Sequence, residues 1–320
     1  MGSTSAVVTT QSDGITLQSD ALAVTLSPHG AELQSVQGRD GAQWLWHGAP
    51  AFWSGRAPLL FPVVGKSPSD ELTIAGKPHP MLGHGFARTS CFELVEQAAD
   101  RCRLRLGASD ASRTRYPFEF ELVMTYALRG ATLTIHADIA NLADTGTMPA
   151  SFGFHPAFVW PLPGCRASES HVVRLAQAGE PPVRRLDAAS GLLLPGVQPS
   201  PFHRGTLVLR TALFEPGALI VEEGAGSLLH YGVPGKPGIA VAQEGLPMLG
   251  LWTKPGAPFL CIEPWHGLPP DIGASAALEE RPGIMQLAPG ATRRVTMSVT
   301  FGAVVPETQP APLAALEVSS

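Results

Sequence analysis

Polar and apolar residues alternate along much of this 320-residue chain. Leu22, Val24 and Leu26 share one face of extended backbone, as do Phe118, Phe120, Leu122, Met124, Tyr126 and Leu128. The same holds for Leu133, Ile135, Ala137 and Ile139, and for Val295, Met297, Val299 and Phe301. A period of two is the spacing of a half-buried strand, and the helical period of 3.6 is nearly absent. Turn dipeptides at 40–41 (Asp-Gly) and 129–130 (Arg-Gly) punctuate the strands. The pattern predicts an all-β fold, a large antiparallel β-sandwich in which two sheets pack face to face. One short helix is predicted, around 274–280 (Ala-Ser-Ala-Ala-Leu-Glu-Glu).

Composition sharpens this picture without changing it. The 34 glycines and 31 prolines fit many loops and tight turns better than a helix bundle. No break in composition and no internal repeat divides the chain, so a single domain is expected over 13–304, with 1–12 and 305–320 as loose termini. A net charge of −5 excludes a broadly basic surface, so neither nucleic acid nor acidic lipid is an expected partner. The four cysteines (Cys91, Cys102, Cys165 and Cys261) form no C-x-x-C pair, and reduced thiols in a cytoplasmic protein are the expectation. The start has no charged n-region followed by an apolar core, and no apolar run reaches the ~18 residues that span a bilayer. No membrane association is expected.

Candidate chemistry is concentrated where ionisable residues stand among aromatics, prolines and glycines. The stretch 151–164 sets His155 among four aromatics and three prolines. Residues 54–66 carry Arg56 and Lys66, and 81–88 place His84 between glycines with Arg88 following. In Pro-Phe-Leu-Cys-Ile-Glu-Pro-Trp-His-Gly, alternation puts Glu263 on the side of Phe259 and Cys261, just before Trp265. A carboxylate on an apolar strand face needs a partner or a cleft. Taken singly, each has a blander reading: a hydrogen-bonded core histidine, a structural ion pair for Arg56, solvated charges for Lys66 and Arg88, core tryptophans at 252 and 265. The other histidines carry no metal-ligand spacing, and no metal site is expected.

These segments, in this order, resemble the aldose 1-epimerase (galactose mutarotase-like) family. The resemblance runs from Gly30–Val36 through 56–65, 84–88, 116–122 and 153–158, and on to 249–265 and 279–290. It implies a large sandwich of antiparallel strands and interconversion of the α and β anomers of an aldose without a cofactor. It assigns His155 as general acid, Glu263 as general base, His84 as a second histidine at the reacting end, and Arg56 as a ligand of sugar hydroxyls. A carboxylate and an imidazole, with ordinary pKa values near ~4.3 and ~6.5, suit ring opening near neutrality. The aromatics around His155 would pack on the apolar faces of a pyranose, with Trp265 as a substrate-binding platform.

The chain departs from the family pattern at Gly217, where many relatives carry an aspartate, and Glu215 is the candidate replacement. The His-Gly-Phe-Ala-Arg form at 84–88 also resembles the hexose-6-phosphate branch, in which Arg56, Lys66 and Arg88 would hold a phosphate. Three readings follow: an aldose 1-epimerase, a hexose-6-phosphate 1-epimerase, or a carbohydrate-binding protein without turnover. A glycosidase would need two working carboxylates, and only Glu263 has the setting of one. The expected partner is a monosaccharide or its phosphate, and the expected state a monomer or homodimer.

Overall fold

The computed structural model describes residues 14–307. The alternating segments are strands with their apolar faces inward. Phe120–Arg129 and Thr132–Asn141 form a hairpin, and the long strand Thr292–Val304 pairs with the second of them. These lie at the centre of a nine-stranded antiparallel sheet. A six-stranded sheet packs against it, built from Leu219–Val221, Met248–Trp252, Phe259–His266, Phe152–Phe154 and Leu59–Leu60, with Ala157–Val159 also paired to Phe259–His266. A three-stranded sheet from Ile15–Gln18, Leu22–Leu26 and Leu33–Gly38 and two small ribbons complete the fold.

The main core fills the space between the two large sheets. Ile135, Met297 and Val299 enter it from one side, and Leu249, Leu251, Leu260 and Ile262 from the other. Because side chains alternate along a strand, residues 259, 261, 263 and 265 then face outward from the six-stranded sheet. They are nevertheless buried, because loops cover that outer face. A second layer over one sheet is what positions the functional site.

One expectation needs correction. Residues 274–280 do not form a helix; a single 3₁₀ turn spans Leu278–Glu280. Thr73 bridges Ala277 and its N–H donates to the Ala276 carbonyl, so strand-like pairing draws this segment out despite its helix-forming residues. The α-helical turn lies instead at Asp110–Arg113, started by a capping box between Ser109 and Ser112. At the C-terminal end, Val305 is buried and donates to the Lys236 carbonyl, so packed chain continues past 304. Residues 1–13 and 308–320 lie outside the described residues.

Candidate active site

Sheet register brings the two candidate proton-transfer groups together. The short strands Phe152–Phe154 and Ala157–Val159 both pair with Phe259–His266, setting Gly153 opposite Trp265 and Ala157 opposite Cys261. His155 falls in the break between them and therefore lies opposite Glu263. Directly opposed residues on one face are neighbours, and His155 Nε2 is 3.1 Å from Glu263 Oε2. On the other flank, Met248, Gly250 and Trp252 stand opposite Trp265, Glu263 and Cys261.

Small and large residues are interleaved here for a steric reason. The Trp265 indole lies across Gly153 and Gly250, where an added methyl would sit 2.5 and 2.6 Å from ring atoms. Trp53 and Trp252 stand 5.0 and 5.9 Å from the His155 ring, centroid to centroid, and meet each other edge-on at 5.6 Å. Phe259 lies behind both. His155, 8% exposed, lies against these aromatic side chains and is the more accessible member of the pair, while Glu263 is 2% exposed. Such a wall suits the apolar face of a sugar ring.

Burial acts on both members of the pair in the same sense. It raises Glu263 well above the usual carboxylate range, with the Trp265 side chain pulling weakly the other way. It lowers His155 well below the imidazole range, helped by the electrostatic influence of the nearby His84 ring and the Arg88 guanidinium. Each group thus favours its uncharged form, a carboxylic acid beside a neutral imidazole, so the pair carries one exchangeable proton and no net charge.

His84 is prepared differently. It sits at φ +66° on its glycine-flanked turn, its N–H donates to the Gly65 carbonyl, and Gly65 N–H donates to Nδ1 at 3.1 Å. An Nδ1 that accepts leaves the ring proton on Nε2. The ring stands edge-on to His155 at 5.8 Å. Burial, with the charges of Arg88 and Arg281, brings its pKa down to about 3. His84 is thus a neutral hydrogen-bond donor, not a proton carrier, near pH 7.

Arg281 was not legible as part of the site. Its buried guanidinium donates Nη2 to the Val64 and Lys66 carbonyls, at 3.1 and 2.6 Å, and Nη1 to Ser67 Oγ at 3.3 Å. It fastens the turn that presents Gly65 to His84. Burial pulls this guanidinium down to about 10.

The remaining candidates are placed unevenly. Arg56 borders the pair, because its carbonyl accepts from Ala157 N–H; its guanidinium donates to Gln34 Oε1 and the His47 carbonyl. Glu32 anchors this segment by accepting from the N–H groups of Arg56 and Ala57. Arg88 is half-buried, its charge felt at both His84 and His155, and its buried Nε has no hydrogen-bond partner among the described residues. Lys66 is exposed, with its stem along Gly83 and Gly191. Trp265 is floor rather than open platform.

Glu215 is not brought to the site. It is exposed at the end of the 3₁₀ turn Thr211–Phe214, and no contact among the described residues joins it to His155 or Glu263. At Gly217, φ is +92° and the carbonyl accepts from the buried Arg185 at 2.9 Å. Trp53 and Arg185 had no sequence signal of their own. Trp252, which alone reads as core, forms part of the wall.

Two antiparallel sheets thus pack face to face, with a buried His–Glu pair on the outer face of one beneath aromatic side chains. A model of the family described as aldose 1-epimerase matches residues 13–197, more than half of the chain, and the protein belongs to that family. It is 28% identical to the chromosomal LacX protein of Lactococcus lactis subsp. lactis, over 90% of this chain and 99% of that one. Among solved structures, a galactose mutarotase related enzyme from Lactobacillus acidophilus superposes with a TM-score of 0.84 at 28% identity, covering 92% of this chain and 98% of that one. A galactose mutarotase-like protein from Lactobacillus casei superposes with a TM-score of 0.83 at 27% identity, covering 90% and 99%. Family membership makes this an isomerase-type protein of carbohydrate metabolism with a mutarotase-type role. No helix among the described residues is long and apolar enough to cross a membrane.

Proposed function

We propose that the protein is an aldose 1-epimerase that interconverts the α and β anomers of a monosaccharide, with Glu263 as base and His155 as acid. The observation that carries this reading is the 3.1 Å contact between His155 Nε2 and Glu263 Oε2, buried at the foot of an aromatic recess.

The chemistry needs one proton taken from the C1 hydroxyl and one delivered to the ring oxygen as the C1–O5 bond breaks. With the ring closed, the reactive form is Glu263 carboxylate and His155 imidazolium. Opening transfers the C1 hydroxyl proton to Glu263 and the His155 proton to O5, leaving a carboxylic acid and a neutral imidazole. Burial favours that second arrangement, so the pair's electrostatics lean toward the open-chain state. Rotation about C1–C2 presents the other carbonyl face. Closure then runs the transfers backward: O5–H returns its proton to His155, and Glu263 gives one to the carbonyl oxygen. The pair stays neutral throughout, so no step strands a net charge in an apolar site. In this scheme His84 Nε2–H and the arginines 56 and 88 hold sugar oxygens.

One observation favours a phosphorylated sugar as a second reading. Arg88 offers a buried Nε without a partner, and Lys66 stands exposed on the 64–67 turn. Guanidinium forks match phosphate oxygens. The test is equilibration of a pure anomer followed by polarimetry or NMR, corrected for the buffer-catalysed reaction, with glucose, galactose and their 6-phosphates compared. Acceleration of the phosphates alone, with inhibition by inorganic phosphate, selects the second reading. Sugar binding with no rate above the buffer blank leaves a binding protein and ends the enzyme reading.

A further inference from the structure

Cys261 has no part in the proton transfers proposed above, yet it stands beside them. It precedes Glu263 by two residues on the same strand face and lies opposite Ala157, one pair along from His155. Its Sγ, one ring nitrogen of His155 and one carboxylate oxygen of Glu263 all lie within 4.8 Å of one another. All three side chains are buried, and the nearer pair already stands at 3.1 Å. In a tetrahedral zinc site, bonds of ~2.0–2.3 Å separate neighbouring ligand atoms by about 3.3–3.6 Å. The His–Glu separation is close to that edge length, and the widest separation the trio allows closes with a movement of about 1 Å.

We propose that Cys261, His155 and Glu263 form a three-ligand site for a thiophilic divalent cation such as Zn²⁺ or Cd²⁺, which blocks the proton-transfer pair when it binds. A thiolate, an imidazole and a carboxylate suit zinc-like ions and are poorly matched to Mg²⁺ or Ca²⁺, which take oxygen ligands. A fourth ligand such as a water would complete the tetrahedron. The charge balance also favours it. Binding forms three metal–ligand bonds and releases two protons to solvent, one from the thiol and one from the His–Glu pair. Two protons leave for each dication, so the buried group remains neutral before and after. Nothing is oxidised or reduced. The consequence for turnover rests on the assignment of His155 and Glu263 to catalysis; the binding itself does not.

The test uses metal-free full-length protein titrated with Cd²⁺, reading the ultraviolet cadmium–thiolate charge-transfer band. Unmutated protein and Cys261→Ala are compared, with Cys261→Ser as a second variant should the alanine protein fold poorly. The other cysteines are present in each and cancel in the difference. The expected result is one Cd²⁺ equivalent per chain that disappears with Cys261, is lost in Glu263→Gln, and is displaced by Zn²⁺ but not by Mg²⁺. Where turnover is measurable, the Zn²⁺ concentration that halves it should rise at least tenfold when Cys261 is replaced. A cadmium–thiolate signal equal in the unmutated and Cys261 variants overturns the site. A signal that depends on Cys261 in a protein without anomerase activity leaves the site standing and removes only the catalytic assignment.

Discussion

Replacing His84 by Asn tests whether this histidine is held neutral, and its size follows from the geometry. Asparagine tolerates the left-handed backbone at this position, and its side-chain oxygen can take the place of Nδ1 as acceptor for Gly65 N–H. The pKa of His84 falls from 6.5 to about 3 on folding, with burial the largest cause. A depressed folded-state pKa gives stability that is present above pH 6.5 and is lost as the pH falls toward 3. At pH 5 the unfolded imidazole is almost fully protonated and the folded one is not, which costs about 2 kcal/mol relative to pH 8. His155 and Glu263 act with opposite signs between pH 4.5 and 6.5, since one is lowered and the other raised, so they partly cancel. Urea unfolding at pH 5 and pH 8, on both proteins, reads the difference directly. The stability loss on acidification should be about 2 kcal/mol smaller in His84→Asn. Equal losses in the two proteins would refute the claim that His84 is a half-buried neutral donor.

Two further substitutions address the scaffold of the site. Arg281→Met leaves the Val64 and Lys66 carbonyls without their donor and should destabilise the fold by about 2–6 kcal/mol, at ~1–3 kcal/mol per unsatisfied buried group; an NMR titration should also show the His84 pKa rising as the nearby charge goes, and an unmoved titration would dismiss the electrostatic link. Gly250→Ala places a methyl 2.6 Å from the Trp265 ring and should cost about 1–3 kcal/mol while slowing any turnover, whereas a neutral effect in both thermal melts and kinetics would show that the indole does not need the glycine.

What could be read from the sequence follows the physics of each feature. The strands were legible because one face of each is buried between the sheets and the other is not, which writes a period of two into the chain. The pairing of His155 with Glu263 was legible only through the resemblance to a family, since register between strands far apart in sequence leaves no local mark. Arg281 follows Glu279 and Glu280 and looks like part of an exposed charged turn; only folding puts its guanidinium beneath residues 64–67. The helix expected at 274–280 failed because bridge pairing with Thr73 outweighs local propensity. Glu215 was suggested only by its position two residues before Gly217, and the 3₁₀ turn before it, followed by Pro216, leaves it exposed.

The proton-transfer pair is tested most directly by Glu263→Gln, which keeps the size and hydrogen-bonding capacity of the side chain and removes the base. Equilibration of a pure anomer is followed by NMR above the buffer blank, on the aldose or aldose phosphate that the unmutated protein turns over. Sugar affinity is measured in parallel by the quenching of Trp53 and Trp252 fluorescence, since both indoles wall the recess. The rate should fall by ~10²–10⁴-fold with affinity changed only a few-fold. An unmutated rate in Glu263→Gln would contradict the account, because the activity would then belong to some other group.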